Sequence, residues 1–163
     1  MGNQLLGRGS ALLASALALL VVACGGSSGS QGSASNATTP TPAVTVKVAT
    51  KKVADKQEAI LVDSKGLTLY YFTPDRGGTV TCTGACLQAW PPLLLPTGIN
   101  QPRGDKGVTG KLATVSNPEG GTQVSYNGWP LYYYAKDKGT EDVYGQGVGG
   151  KWYVITPDLA PSA

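Results

Sequence analysis

Residues 66–75 read GLTLYYFTPD and residues 128–137 read GWPLYYYAKD, so a glycine, a leucine, an aromatic triplet and a closing aspartate recur sixty-two positions later. The offset persists to Trp90 and Trp152, each fifteen positions beyond its aspartate, Asp75 or Asp137. A chain of 163 residues with one phrase written twice at this spacing has room for two copies of one unit. Two copies exclude a long solenoid and favour a pseudo-symmetric pair of small sheets sharing one core. The copies are expected at about 58–96 and 122–158, with the insertion PTGINQPRGDKGVTG between them.

The local patterns are those of strands. In VTVKVAT, Val44, Val46 and Val48 alternate with polar residues. AILV and LTLYYF flank the turn sequence DSKG, and TQVSY and PLYYY flank NGW, so both read as hairpins. LATVS and WYVI are smaller strand candidates. No segment sustains an apolar period of 3.6, and 23 glycines and 11 prolines punctuate the chain too often for long helices. The fold class is therefore all-β over a domain at 44–160, with one helical turn expected around GACLQAW.

Before that domain the composition changes twice. Arg8 precedes the apolar run ALLASALALLVVA, the layout of a signal peptide over residues 1–23. The run has thirteen residues, whereas a membrane span needs about 20. LVVAC resembles the lipobox of bacterial lipoproteins, which implies that Cys24 carries a thioether-linked diacylglycerol and becomes the mature N-terminus. Two acyl chains hold a domain at a membrane without a helix. Residues 24–43, rich in Gly, Ser, Thr and Pro, cannot bury enough apolar surface to order themselves and read as a tether. The expected address is the extracytoplasmic face of a cell membrane.

Charge and cysteine content narrow the chemistry. Loss of Arg8 with the leader leaves twelve basic side chains against ten acidic ones, without a lysine cluster of the kind that binds nucleic acid. With Cys24 lipidated, Cys82 and Cys86 remain, and outside the cytoplasm a disulfide is their simplest state. A redox pair and a metal site are the alternatives. The spacing is C-x-x-x-C rather than C-x-x-C, and the chain has no histidine to complete a soft-ligand cage. The second copy has Tyr144 and Val148 at the matching places, so sulfur is not the shared chemistry of the repeats. No metal, cofactor or catalytic residue is assigned, and without histidine there is no Ser-His or Cys-His pair.

The motif Y-x-[FWY]-x-x-D stands as Tyr70, Phe72 and Asp75 and again as Tyr132, Tyr134 and Asp137, beside CTGACLQAWPPL and GWPLYYYAKDKGTEDVYGQGVGGKWYVI. These features resemble the bacterial lipoprotein family described as the secreted repeat of unknown function, over roughly residues 58–158. The resemblance implies export, lipid anchoring and a repeated β-rich domain, and it brings no catalytic residues. Within a strand Tyr70 and Phe72 share one face and Leu69 and Tyr71 the other, and likewise Tyr132 and Tyr134 against Leu131 and Tyr133. Each aspartate falls just past its strand, where a carboxylate caps turn N–H groups.

The motif is thus expected to fold the repeat. The functional alternative is a tyrosine face that joins Trp90 or Trp129 in stacking on a sugar or another flat ligand. The expected role is a non-catalytic binding or structural module, with a wall polymer or another envelope protein as partner. An envelope redox accessory using Cys82 and Cys86, and a hydrolase using Asp75 and Asp137, are the alternatives.

Overall fold

The computed structural model describes residues 45–163. The leader at 1–23, Cys24 and the tether at 24–43 lie outside the described residues. Strand β1 (Thr45–Val53) turns through Ala54 and Asp55 into β2 (Lys56–Val62), with antiparallel register from Lys47↔Val62 to Val53↔Lys56. Both turn residues have positive φ, 44° and 71°, as a two-residue primed turn demands. This hairpin has no Gly or Asn in its turn, and its outer half is polar, so the sequence does not announce it. The chain then folds back at DSKG, where Leu69 N donates to Leu61 O at 3.1 Å, and enters the motif strand β3 (Tyr70–Phe72).

Helix α1 (Ala85–Ala89) is the single turn expected near Cys86. Short β4 (Arg103–Gly104) in the insertion lies parallel to β1. A second hairpin follows, β5 (Leu112–Ser116) with β6 (Thr122–Tyr126), and β6 continues into β7 (Trp129–Pro130). The Asn127-Gly128 turn has φ of 50° and 86°, the geometry for which an Asn-Gly pair is chosen. The last strand, β8 (Trp152–Val154), pairs antiparallel with β3.

The two copies meet about a local twofold. Equivalent residues Tyr70 and Tyr132 exchange both backbone hydrogen bonds, at 2.8 and 2.9 Å. Outward from this bridge the bonds repeat in pairs: Leu93 N to Leu131 O (2.9 Å) mirrors Ile155 N to Leu69 O (3.2 Å). Likewise, Thr73 N to Lys151 O mirrors Ala135 N to Ala89 O, both close to 2.9 Å. The centre of the domain is therefore a four-segment layer: β8, β3, the second motif segment at 131–135, and residues 89–93. Pro91 and Pro92 have no N–H to donate, so the outer segment of one half makes isolated bridges where β8 makes a ladder.

Side-chain alternation buries both faces of this layer. Leu69 and Leu131 pack on one side with Val46, Leu61, Leu93, Val124 and Ile155. Tyr70 and Tyr132 pack on the other with Ile60, Val62, Cys82, Trp90 and Trp152. Among the described residues the domain is all-β, in three small sheets, with the α1 turn and two short 3-10 segments, Thr73–Gly78 and Val148–Gly150, the helical turns beyond the one expected.

Candidate functional site

The motif is shared across the twofold. The Tyr70 hydroxyl donates to Asp137 Oδ2 at 2.6 Å, and the Tyr132 hydroxyl donates to Asp75 Oδ2 at 2.5 Å. Each tyrosine thus serves the aspartate of the other copy. The second carboxylate oxygen of each aspartate holds its own loop. Asp75 Oδ1 accepts from Thr81 N (2.8 Å) and Thr81 Oγ1 (2.6 Å), and Asp137 Oδ1 accepts from Tyr144 N (3.1 Å). Burial, reinforced by the bonded carboxylate, pushes the Tyr70 and Tyr132 hydroxyls far above the ordinary tyrosine range. Burial also raises the Asp137 carboxyl, against the pull of the Tyr70 hydroxyl and the Tyr144 N–H.

The aromatic residues flagged by the motif form one stack. Trp90 and Trp152, equivalent by the repeat, lie parallel with ring centroids 3.8 Å apart. Phe72 stacks on Trp152 and Tyr134 on Trp90, both at 4.2 Å, again each on the tryptophan of the other copy. Tyr70 and Tyr132 meet Trp90 and Trp152 edge-on at 5.5 and 5.2 Å. Such contacts contribute about 0.5–1.5 kcal/mol each beyond the area they bury. Tyr70 and Tyr132 are 0% exposed, Trp90 and Trp152 5% and Trp129 8%. These rings are core, and they do not form the open stacking face considered from the sequence. Cys82 and Cys86 are joined in a disulfide, and Cys82 is buried in the same cluster.

An opening lies elsewhere on the surface. A cleft of about 270 Å³ is lined by Asp63, Lys65, Leu67, Thr68, Tyr133, Tyr134 and Asp137. The turn after β2 builds its floor: Asp63 Oδ1 accepts from Lys65 N and Leu67 N, each at 2.9 Å. Asp63 Oδ2 accepts from the Tyr133 hydroxyl at 3.1 Å. Burial, with the Asp63 charge behind it, raises the Tyr133 hydroxyl well above its usual range. Behind Thr68 lies Lys51, a buried lysine whose Nζ donates to Thr68 Oγ1 (2.8 Å) and Gly66 O (2.9 Å). Burial lowers its ammonium pKa, opposed by the charges of Glu141, Asp137, Asp142 and Asp63. Asp137 lines the cleft, whereas Asp75 is fully buried outside it, so the two motif aspartates do not share a site.

The family model of the secreted repeat of unknown function matches residues 51–94 and 113–156, more than half of the chain. The chain belongs to that family. Both matches span forty-four residues at an offset of sixty-two, and each begins inside the first strand of a hairpin, β1 or β5. No curated protein and no solved structure matches the chain. In this secreted-repeat protein the motif tyrosines and aspartates couple one copy to the other.

Of the residues singled out by the motif, the structure brings Tyr70, Phe72, Trp90, Tyr132, Tyr134 and Trp152 to one cluster, with Asp75 and Asp137 bonded to it. Trp129 packs on the opposite side of the layer, against Tyr71. The reading missed Lys51, Asp63, Lys65, Leu67, Thr68 and Tyr133. Their signal lies in the differences between the copies: Leu67 stands where the second copy has Trp129, and Asp63 where it has Ser125.

Proposed function

We propose that this secreted-repeat protein is a lipid-anchored module of the cell envelope that binds rather than catalyses, with the Asp63–Tyr133 cleft as its binding site. The observation that carries the reading is the reciprocal Tyr–Asp exchange. It commits the motif's hydroxyls and carboxylates to holding the repeats together, and leaves the departure from symmetry as the distinctive surface. The leader and Cys24 support an anchor at the extracytoplasmic face. A wall polymer or another envelope protein is the partner such a position offers.

The competing readings have less behind them. A redox accessory needs an accessible disulfide, and here Cys82 is buried in the cluster of Trp90 and Trp152 while Cys86 is half-buried against it. A two-carboxylate hydrolase needs both aspartates facing one substrate, and Asp75 faces Tyr132 and Thr81.

Two experiments test the reading in the native host. Cys24→Ala should abolish acyl labelling and release the protein from the membrane fraction; retention of the label would remove the anchor. A photoreactive residue in place of Lys65, at the cleft, should cross-link an envelope component that the same residue in place of Lys56, at the far end of the hairpin, does not. Equal capture from both positions would remove the cleft.

A further inference from the structure

The second copy shows what fits against the first. Aligned at the offset of sixty-two, the cleft residues Leu67, Thr68, Tyr133, Tyr134 and Asp137 correspond to Trp129, Pro130, Tyr71, Phe72 and Asp75. In the second copy the indole of Trp129 occupies this place and lies against Tyr71, with ring centroids 4.9 Å apart and planes inclined by 52°. Its Nε1 donates to Ala160 O at 3.0 Å, and the C-terminal segment is fixed alongside by Asn127 Nδ2 to Leu159 O at 2.7 Å. In the first copy Leu67 is too short to cover Tyr133. The segment that follows that copy, Pro96–Gly110, contributes no lining to the cleft.

We propose that the cleft is a seat for an external aromatic ring of indole size that carries a hydrogen-bond donor on its edge. The proposal rests on the cleft being the binding site and adds the chemical class of what it takes. The walls supply what Trp129 finds in the other copy: a tyrosine face to lie against, here Tyr133, and an acceptor oxygen, here on Asp63. The acceptors differ in kind. Where Trp129 meets a backbone carbonyl, the visitor meets the carboxylate of Asp63, whose Oδ2 accepts one protein bond, from the Tyr133 hydroxyl. A volume of about 270 Å³ lies just below the range of drug-sized pockets, which suits one fused ring rather than a chain of sugars. The ring has two sources, a free small molecule or the side chain of a partner protein.

The test uses the whole mature chain with Cys24→Ser to keep it out of detergent. Indole, N-acetyl-tryptophanamide, 1-methylindole and N-acetylglucosamine are titrated separately while backbone amide resonances are followed by NMR. The expected result is that indole moves the amides of Leu67, Tyr133 and Asp63. Removing its donor, as in 1-methylindole, should weaken binding several-fold, and Leu67→Trp should weaken indole binding about tenfold or more by filling the seat from within. Leu67→Phe provides a smaller plug should the tryptophan variant not fold, and the wild-type titration stands without either.

Amides at the cleft unmoved by indole up to its solubility limit would overturn the proposal. If N-acetylglucosamine moves them and indole does not, the ring assignment fails while the cleft remains the binding site. N-acetyl-tryptophanamide binding as well as indole supports a partner's side chain as the source; binding of indole alone supports a free ligand.

Discussion

Replacing Gly145 by alanine places a Cβ 2.7 Å from Cε1 and Cζ of Tyr70 and 2.9 Å from Cη2 of Trp90. Real Cβ atoms do not approach so closely, and both rings are held: Tyr70 by its bond to Asp137, and Trp90 by its stack on Trp152. Overpacking of a core costs about 1–3 kcal/mol. Displacing the Tyr70 ring also weakens its hydroxyl bond to a carboxylate, worth about 1.5 kcal/mol or more. Against these, the lost freedom of the unfolded chain returns about 0.4–1 kcal/mol.

The net is a loss of about 1.5–4 kcal/mol, a fall in Tm of about 6–16 °C for a domain of this size. Gly139→Ala is the control. Its Cβ comes no closer than 3.6 Å to Asp142 Oδ2, an ordinary contact, so the expected change is within about 0.5 kcal/mol. Urea denaturation followed by tryptophan fluorescence measures both. A Gly145→Ala protein as stable as the wild type would refute the placement of Gly145 against the two rings.

Three further outcomes follow from the site. Tyr70, Tyr132 and Tyr133 keep their protons in the fold beyond the ordinary tyrosine range, so their contribution to stability is full below about pH 10 and is lost as pH rises through the folded values. Absorbance at 295 nm should therefore show fewer than eight tyrosines ionising until the domain unfolds in alkali, and simultaneous titration of all eight in the folded protein would contradict it. Removing the Cys82–Cys86 link should cost about 2 kcal/mol, since it closes a loop of only five residues, and should leave probe binding at the cleft unchanged. Tyr133→Phe should cost less stability than Tyr132→Phe, because Asp63 lines a cleft where water can replace the lost hydroxyl, whereas Asp75 is sealed from water.

Much of the fold was legible because its causes are local. The alternation Leu69, Tyr70, Tyr71, Phe72 assigns one face to each residue, and an Asn-Gly pair between two apolar runs specifies a tight turn. The β1–β2 hairpin was not legible, because its turn uses Ala54 and Asp55 with positive φ and its outer half is polar.

The motif illustrates a different limit. Tyr70 and Asp75 stand five residues apart in one phrase and suggest a pair, yet Tyr70 bonds an aspartate sixty-seven residues away. A repeat fixes which residues are equivalent, but pairing within a copy and pairing between copies fit the same text equally well. Packing decides between them, since the backbone bridge Tyr70–Tyr132 sets the two motif strands side by side and directs each hydroxyl into the other copy's loop. The cleft was hidden for a related reason: Leu67 marks an opening only when Trp129 is known to cover Tyr71.

The claim that the motif joins the two copies is tested most directly by a pair of double-mutant cycles in urea denaturation. One combines Tyr132→Phe with Asp75→Asn, residues of different copies that share a hydrogen bond, and the other combines Tyr132→Phe with Asp137→Asn, residues of the same copy. The structure predicts a coupling of about 1–3 kcal/mol in the first cycle and additivity within about 0.5 kcal/mol in the second. Coupling confined to the second cycle would show that each motif closes on itself, and the account of two copies locked by exchanged side chains would be wrong.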